Sequence, residues 1–140
     1  MLKKIIITTA VSLTMFSAGV IGAYAGNAAV MKPAGGTYQQ VSKLVALPDH
    51  IPGLGTLYVD PKTLPAGPFA AYDKTGKLVS SIYMIPMADM KAKKKFGGLG
   101  VAGKAAKSVD MYYNAGHPGV DQPHYHIVIW HVDPASAQLK

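Results

Sequence analysis

Four of the five histidines of this 140-residue chain fall between positions 117 and 131. His124 and His126 are two residues apart in an apolar segment, so a β-strand would place both imidazoles on the same face. His117 precedes them in a segment rich in turn-forming residues and can fold back over that face. Imidazole ligands without thiolates suit zinc, copper or nickel. The spacing therefore predicts a metal site built on His117, His124 and His126.

Two further residues are candidates for the same site. Asp121 lies between His117 and His124, where it could bind the metal or orient an imidazole ring as a hydrogen-bond acceptor. His131 has the opposite strand parity to the pair, so it reaches the site only if a β-bulge intervenes. The alternative hypothesis is that these histidines bind no metal. They would then be strand residues held by hydrogen bonds and aromatic neighbours, or residues of a subunit interface.

Three methionines, Met84, Met87 and Met90, form a second group with chemical potential. Thioether sulfurs favour Cu(I), so a Met-x-x-Met-x-x-Met string is compatible with copper binding. The alternative, which we favour, is that these side chains fill the apolar core.

The composition excludes several classes of function. The chain contains no Cys, no Arg and no Glu: its 14 basic residues are all Lys and its 7 acidic residues are all Asp. Disulfides, thiolate metal sites and Glu-based acid–base catalysis are therefore excluded. Lysines without arginine or interleaved aromatic residues do not favour specific nucleic-acid binding. The His-x-His spacing is also found in cupins, but the cupin motif requires a Glu that this chain does not contain. The sequence has no nucleophile elbow of the kind that serine hydrolases use. An enzyme is therefore not favoured.

The first 25 residues have the pattern of a secretory signal peptide. Lys3 and Lys4 precede an apolar run, and Ala23 and Ala25 occupy the small-residue positions of a cleavage site. The alternative is a membrane anchor, because the run approaches the roughly 20 residues that span a bilayer. We expect cleavage near Ala25, a periplasmic or secreted protein, and no membrane span in the mature form.

The rest of the chain predicts a single α+β domain, mainly an antiparallel sheet with one or two short helices. We expect a flexible leader at 26–36, the domain at 37–133 and a tail at 134–140. The clearest hairpin spans 69–85, with its turn at 73–76. A helix is predicted over 87–96. Strands are predicted over 55–60, 109–113 and 124–132, and the last of these, being apolar throughout, is expected to be central and buried on both faces.

Several segments resemble a family of exported bacterial proteins of unknown function. They are 44–49, 51–61, 64–68, 72–79 and 113–126, the last ending in the string Pro-His-Tyr-His. The resemblance implies an α+β domain and export. One thermophile member is linked to envelope stress and forms a ring-shaped oligomer, so the resemblance also implies a homo-oligomer. It implies no activity.

The sequence thus predicts a small exported protein that binds a transition metal, zinc or copper, through its C-terminal histidine cluster. The alternative is a structural or envelope-stress oligomer without metal, whose histidines pack in the core or lie at an interface.

Overall fold

Six β-strands form one antiparallel sheet in the computed structural model, which describes residues 37–102 and 105–140. The spatial order is β1-β2-β3-β4-β6-β5. This confirms a single domain with a mainly antiparallel sheet and one short helix. The signal peptide and leader predicted for 1–36 lie outside the described residues. The elements are β1 (Gln39–Gln40), β2 (Thr56–Val59), β3 (Phe69–Tyr72), β4 (Leu78–Pro86), α1 (Met87–Lys91), β5 (Ser108–Asn114) and β6 (His124–Trp130).

The turn between β3 and β4 has the chemistry that its sequence predicts. One carboxylate oxygen of Asp73 accepts hydrogen bonds from the backbone N–H groups of Thr75 and Lys77, at 2.9 and 3.0 Å. Gly76 adopts a φ of 78°, a left-handed conformation that glycine enters without steric cost. These bonds fix where β4 begins.

Strand β6 pairs with β4 on one side and with the edge strand β5 on the other. Its residues alternate between buried and half-buried from His124 to Trp130. The prediction that this strand is buried on both faces was therefore wrong. The second face packs less completely because the neighbouring residues of β5 at the sheet edge, such as Val109 and Met111, are exposed.

The core lies on the face of the sheet that carries the even-numbered residues of β6. Ile82 of β4 and Val128 of β6 are cross-strand partners there, and both are buried. Segments without regular strands cover this face. The predicted tail contributes to that cover, because Leu139 is only 7% exposed and its carbonyl accepts a hydrogen bond from the backbone N–H of Gly53.

Helix α1 is shorter than the sequence predicts. It ends at Lys91 rather than at residue 96, because Lys93 adopts a φ of 55° that interrupts the helical backbone. At the start of the domain, the chain forms the two-residue strand β1 and then a 3₁₀ turn at Val41–Lys43. Within the described part of the chain, no helix is long and apolar enough to cross a membrane.

We predict that Gly55→Ala destabilises the fold more than Gly53→Ala does. Both glycines have positive φ, at 99° and 80°, so alanine is strained at either position. Only at Gly55 would the added Cβ collide with the backbone carbonyl of Tyr72, whereas Gly53 faces open space. Urea unfolding should show that Gly55→Ala lowers the free energy of unfolding by about 1–3 kcal/mol more than Gly53→Ala does. Equal losses for the two variants would contradict this packing.

Candidate metal centre

His117, His124 and His126 lie together on the core face of the sheet. The alternation of β6 places His124 and His126 on the same face, where their exposures are 0% and 5%. His117 is carried by a tight turn whose backbone pairs with Val120 through hydrogen bonds of 3.0 and 2.9 Å. This turn folds the half-buried His117 ring over the other two. The ligand nitrogens of the three residues lie within 4.8 Å of one another.

The outer nitrogens of two of the rings contact backbone oxygen atoms. Nδ1 of His117 lies 3.0 Å from the carbonyl oxygen of Pro118. Nδ1 of His124 lies 2.7 Å from the carbonyl oxygen of Gln122. Because a carbonyl oxygen only accepts hydrogen bonds, both Nδ1 atoms must carry the proton and donate it. In the neutral rings, Nε2 of His117 and of His124 is therefore an unprotonated lone pair.

The inner nitrogens of the three rings face one another. Nε2 of His126 lies 2.9 Å from Nε2 of His124 and 3.4 Å from Nε2 of His117. A tetrahedral zinc ion with Zn–N bonds of about 2.0–2.1 Å needs ligand nitrogens about 3.3 Å apart. The two separations agree with this requirement to within a few tenths of an ångström. The three-histidine group could therefore hold a metal ion.

The surroundings keep His126 in the neutral form that metal binding requires. Burial lowers the pKa of His126 to about 4, with a further contribution from the neighbouring His124 and His117. A ring with this pKa carries no charge at neutral pH. Its Nε2 lone pair is then available to an ion whenever the single ring proton is on Nδ1.

The hydroxyl group of Tyr112 on β5 is the hydrogen-bond partner of the outer nitrogen of His126, Nδ1. It lies 3.0 Å from Nδ1 of His126. Burial, and then the charge of Asp110, raises the pKa of Tyr112, so the hydroxyl group keeps its proton. It can donate to an unprotonated Nδ1 or accept from an Nδ1–H. In the second arrangement, Nε2 of His126 is free to bind a metal ion.

Sequence reasoning did not identify Tyr112. This residue is the cross-strand partner of His126 in the pairing of β5 with β6. Its own strand was predicted, but the register between the strands was not. Strand alternation places Tyr112 on the same face of β5 as Asp110. Two polar side chains on one face of a predicted strand were the available signal that this face contacts a polar site.

Two predicted candidates lie outside the three-histidine group. Asp121 is exposed in the segment that leads into β6, and it does not belong to the set of ligand atoms within 4.8 Å. His131 follows the opposite end of β6, where its Nε2 lies 2.8 Å from the hydroxyl of Ser81 and its Nδ1 lies 2.7 Å from the carbonyl oxygen of Ala105. The length of the strand separates His131 from the cluster, and the site therefore consists of three imidazoles.

The three methionines do not form a shared thioether site. Met84 is buried in the core as the cross-strand partner of His126. Met90 is 44% exposed and borders a pocket with Ile85 and Ile127, on the opposite face of the sheet. Met87 begins α1. Met84 behaves as a core residue, in agreement with the interpretation that the sequence favoured.

The chain is similar in sequence and structure to a bacterial protein of known structure. The crystal structure of hypothetical protein TTHB210 from Thermus thermophilus matches with a TM-score of 0.56 and 44% sequence identity. The match covers 62% of this chain and 85% of that chain. No family model matches the chain, and no curated protein matches it. The similarity supports the predicted resemblance to bacterial proteins of unknown function.

Proposed function

We propose that this chain, which belongs to the same family as hypothetical protein TTHB210, binds one divalent transition-metal ion, zinc or copper, through His117, His124 and His126. The observation that carries the proposal is the direction of the imidazole nitrogens. Backbone carbonyls hold two Nδ1–H groups on the outside, which leaves Nε2 of His117 and of His124 as lone pairs 3.4 and 2.9 Å from Nε2 of His126. Three neutral imidazoles leave a coordination position open for a fourth ligand.

The competing account is a hydrogen-bonded histidine network without metal. In that network Tyr112 donates to Nδ1 of His126, and Nε2–H of His126 donates to Nε2 of His124. A single proton on His126 can form a strong bond to only one of the two lone pairs that face it. The lone pair of His117, 3.4 Å away, is then poorly satisfied. A metal ion satisfies all three nitrogens at once, so we favour the metal.

We propose that the site operates outside the cytoplasm. The support is the signal-peptide pattern of residues 1–25, with cleavage expected near Ala25. The protein would then be periplasmic or secreted and would take its metal ion in that compartment.

We also propose that copies of this chain associate through β5. Val109, Met111 and Tyr113 project from one face of this edge strand and are 57%, 59% and 54% exposed. An edge strand with exposed apolar side chains offers both unpaired backbone groups and apolar area to a second copy. These features support a homo-oligomer.

We predict that the untagged protein binds one equivalent of zinc with a Kd below about 10 μM, measured by calorimetry and by mass spectrometry of the dialysed protein. His126→Ala should weaken binding at least about 100-fold, because it removes the central ligand. Tyr112→Phe should weaken binding by about 10-fold to 100-fold, because it removes the acceptor that holds the Nδ1–H of His126. Titrations with copper should rank the wild type and the two variants in the same order of affinity.

His131→Ala provides the matched control, since His131 lies outside the three-histidine group. This variant should bind zinc like the wild-type protein. Circular dichroism checks that each variant is folded. Equal zinc affinity in the wild type and in folded His126→Ala would refute the proposed site.

For assembly, light scattering should give a mass above that of one chain for the wild type. Met111→Lys should shift this mass toward the monomer, because it places a charge in the apolar strip of β5. Leu64→Lys is the control, since Leu64 is 42% exposed but lies between β2 and β3, away from β5 in the sheet. A wild-type monomer at about 100 μM, where even weak dimers form, would overturn the proposed association.

A further inference from the structure

An apolar cavity adjoins the three-histidine group on the core face of the sheet. Its volume is about 250 Å³. Leu57, Phe69 and Ile82 contribute to its walls from the sheet, and Leu54 does so from the segment that covers the sheet. Protein interiors are close-packed, and an apolar cavity of about 150 Å³ is already large enough to bind benzene. The space is therefore large enough for a small organic molecule.

The polar groups of this cavity are clustered at one end. His117, His126, Tyr112 and Asn114 line it there, and the remaining lining residues are apolar. Among the described residues that line the cavity, none is a lysine or an aspartate. Two of the three proposed metal ligands thus form part of the cavity wall. A molecule in the cavity can therefore reach the metal that those ligands would hold.

We propose that the cavity binds a medium-chain monocarboxylate whose carboxylate group supplies the fourth ligand of the metal ion. This inference rests on the proposed metal-binding function. Three neutral imidazoles leave the charge of a divalent ion uncompensated, so an anionic fourth ligand is favoured over a neutral one. Apart from the metal ion, the described residues that line the cavity offer no positively charged side chain that would neutralise the carboxylate. The hydrocarbon chain would lie between Leu54, Leu57 and Phe69.

The volume of the cavity limits the length of the hydrocarbon chain that the ligand can have. If about 150 Å³ accommodates the six carbons of benzene, a cavity of 250 Å³ accommodates about ten, which leaves room for the eight carbons of octanoate. Octanoate is thus a suitable probe, and acetate is its counterpart without a hydrocarbon chain. Burial of each added methylene should strengthen binding about three- to fourfold until the cavity is full.

The test is calorimetric titration of the full protein with octanoate, with and without one equivalent of zinc. We expect octanoate to bind the zinc-loaded protein at least about tenfold more tightly than the zinc-free protein. By thermodynamic reciprocity, saturating octanoate should then raise the affinity for zinc by the same factor. Across butanoate, hexanoate and octanoate, the affinity should increase with each methylene, and acetate should bind most weakly.

Leu57→Phe narrows the cavity without touching the histidines. It should retain zinc affinity and lose the dependence on chain length. Leu54→Phe makes the same test from the covering segment if Leu57→Phe fails to fold. Leu99→Phe is the matched control, because Leu99 is 48% exposed and borders a different pocket. It should bind octanoate like the wild type.

Two results would overturn the inference, and they differ in what they leave standing. If the protein binds zinc but its zinc form binds octanoate no better than acetate, the ligand proposal fails and the metal-binding function stands. If the protein binds no zinc, both fail together. If a folded cavity-filling variant still binds longer carboxylates more tightly, the hydrocarbon chain of the ligand lies elsewhere, and this cavity is refuted as the site.

Discussion

The arrangement at the centre of this structure depends on how few N–H groups three facing imidazole rings can direct at one another. Each neutral ring has one N–H group, and those of His117 and His124 are directed outward to backbone carbonyls. Their Nε2 lone pairs consequently face Nε2 of His126, which can supply one proton to two acceptors. Lone pairs this close repel one another unless a cation lies between them. The divalent metal ion that we propose for this site would satisfy all three.

The surrounding fold maintains this geometry. Pairing of β6 between β4 and β5 places Met84 on one side of His126 and Tyr112 on the other. The turn before β6 holds His117 in place and depends on two glycines with positive φ. At Gly116 a Cβ would collide with the carbonyl of Asp121, and at Gly119 it would press on Val45, which packs against the core. The turn is thus fixed from both sides.

Much of this could be predicted from local sequence. The period of two in β6 placed His124 and His126 on one face, and the Asp73–Gly76 turn identified the central hairpin. Features that depend on long-range pairing could not be predicted. The role of Tyr112 follows from the register of β5 against β6, and the cavity depends on how separate segments cover the sheet. Helix α1 was predicted too long, because its charge pattern continues past the residue at which the backbone departs from helical geometry.

The most direct test of the metal-binding account is long-range ¹H–¹⁵N correlation NMR of the histidine rings during a zinc titration, because it identifies the protonated nitrogen of each ring. In the zinc-free protein, His117 and His124 should carry the proton on Nδ1, and His126 should carry it on Nε2. One equivalent of zinc should shift the Nε2 resonances of all three rings together and move the proton of His126 to Nδ1. An Nε2–H tautomer at His126 that persists in the presence of zinc would contradict the account, as would an Nε2–H tautomer at His124 in either state.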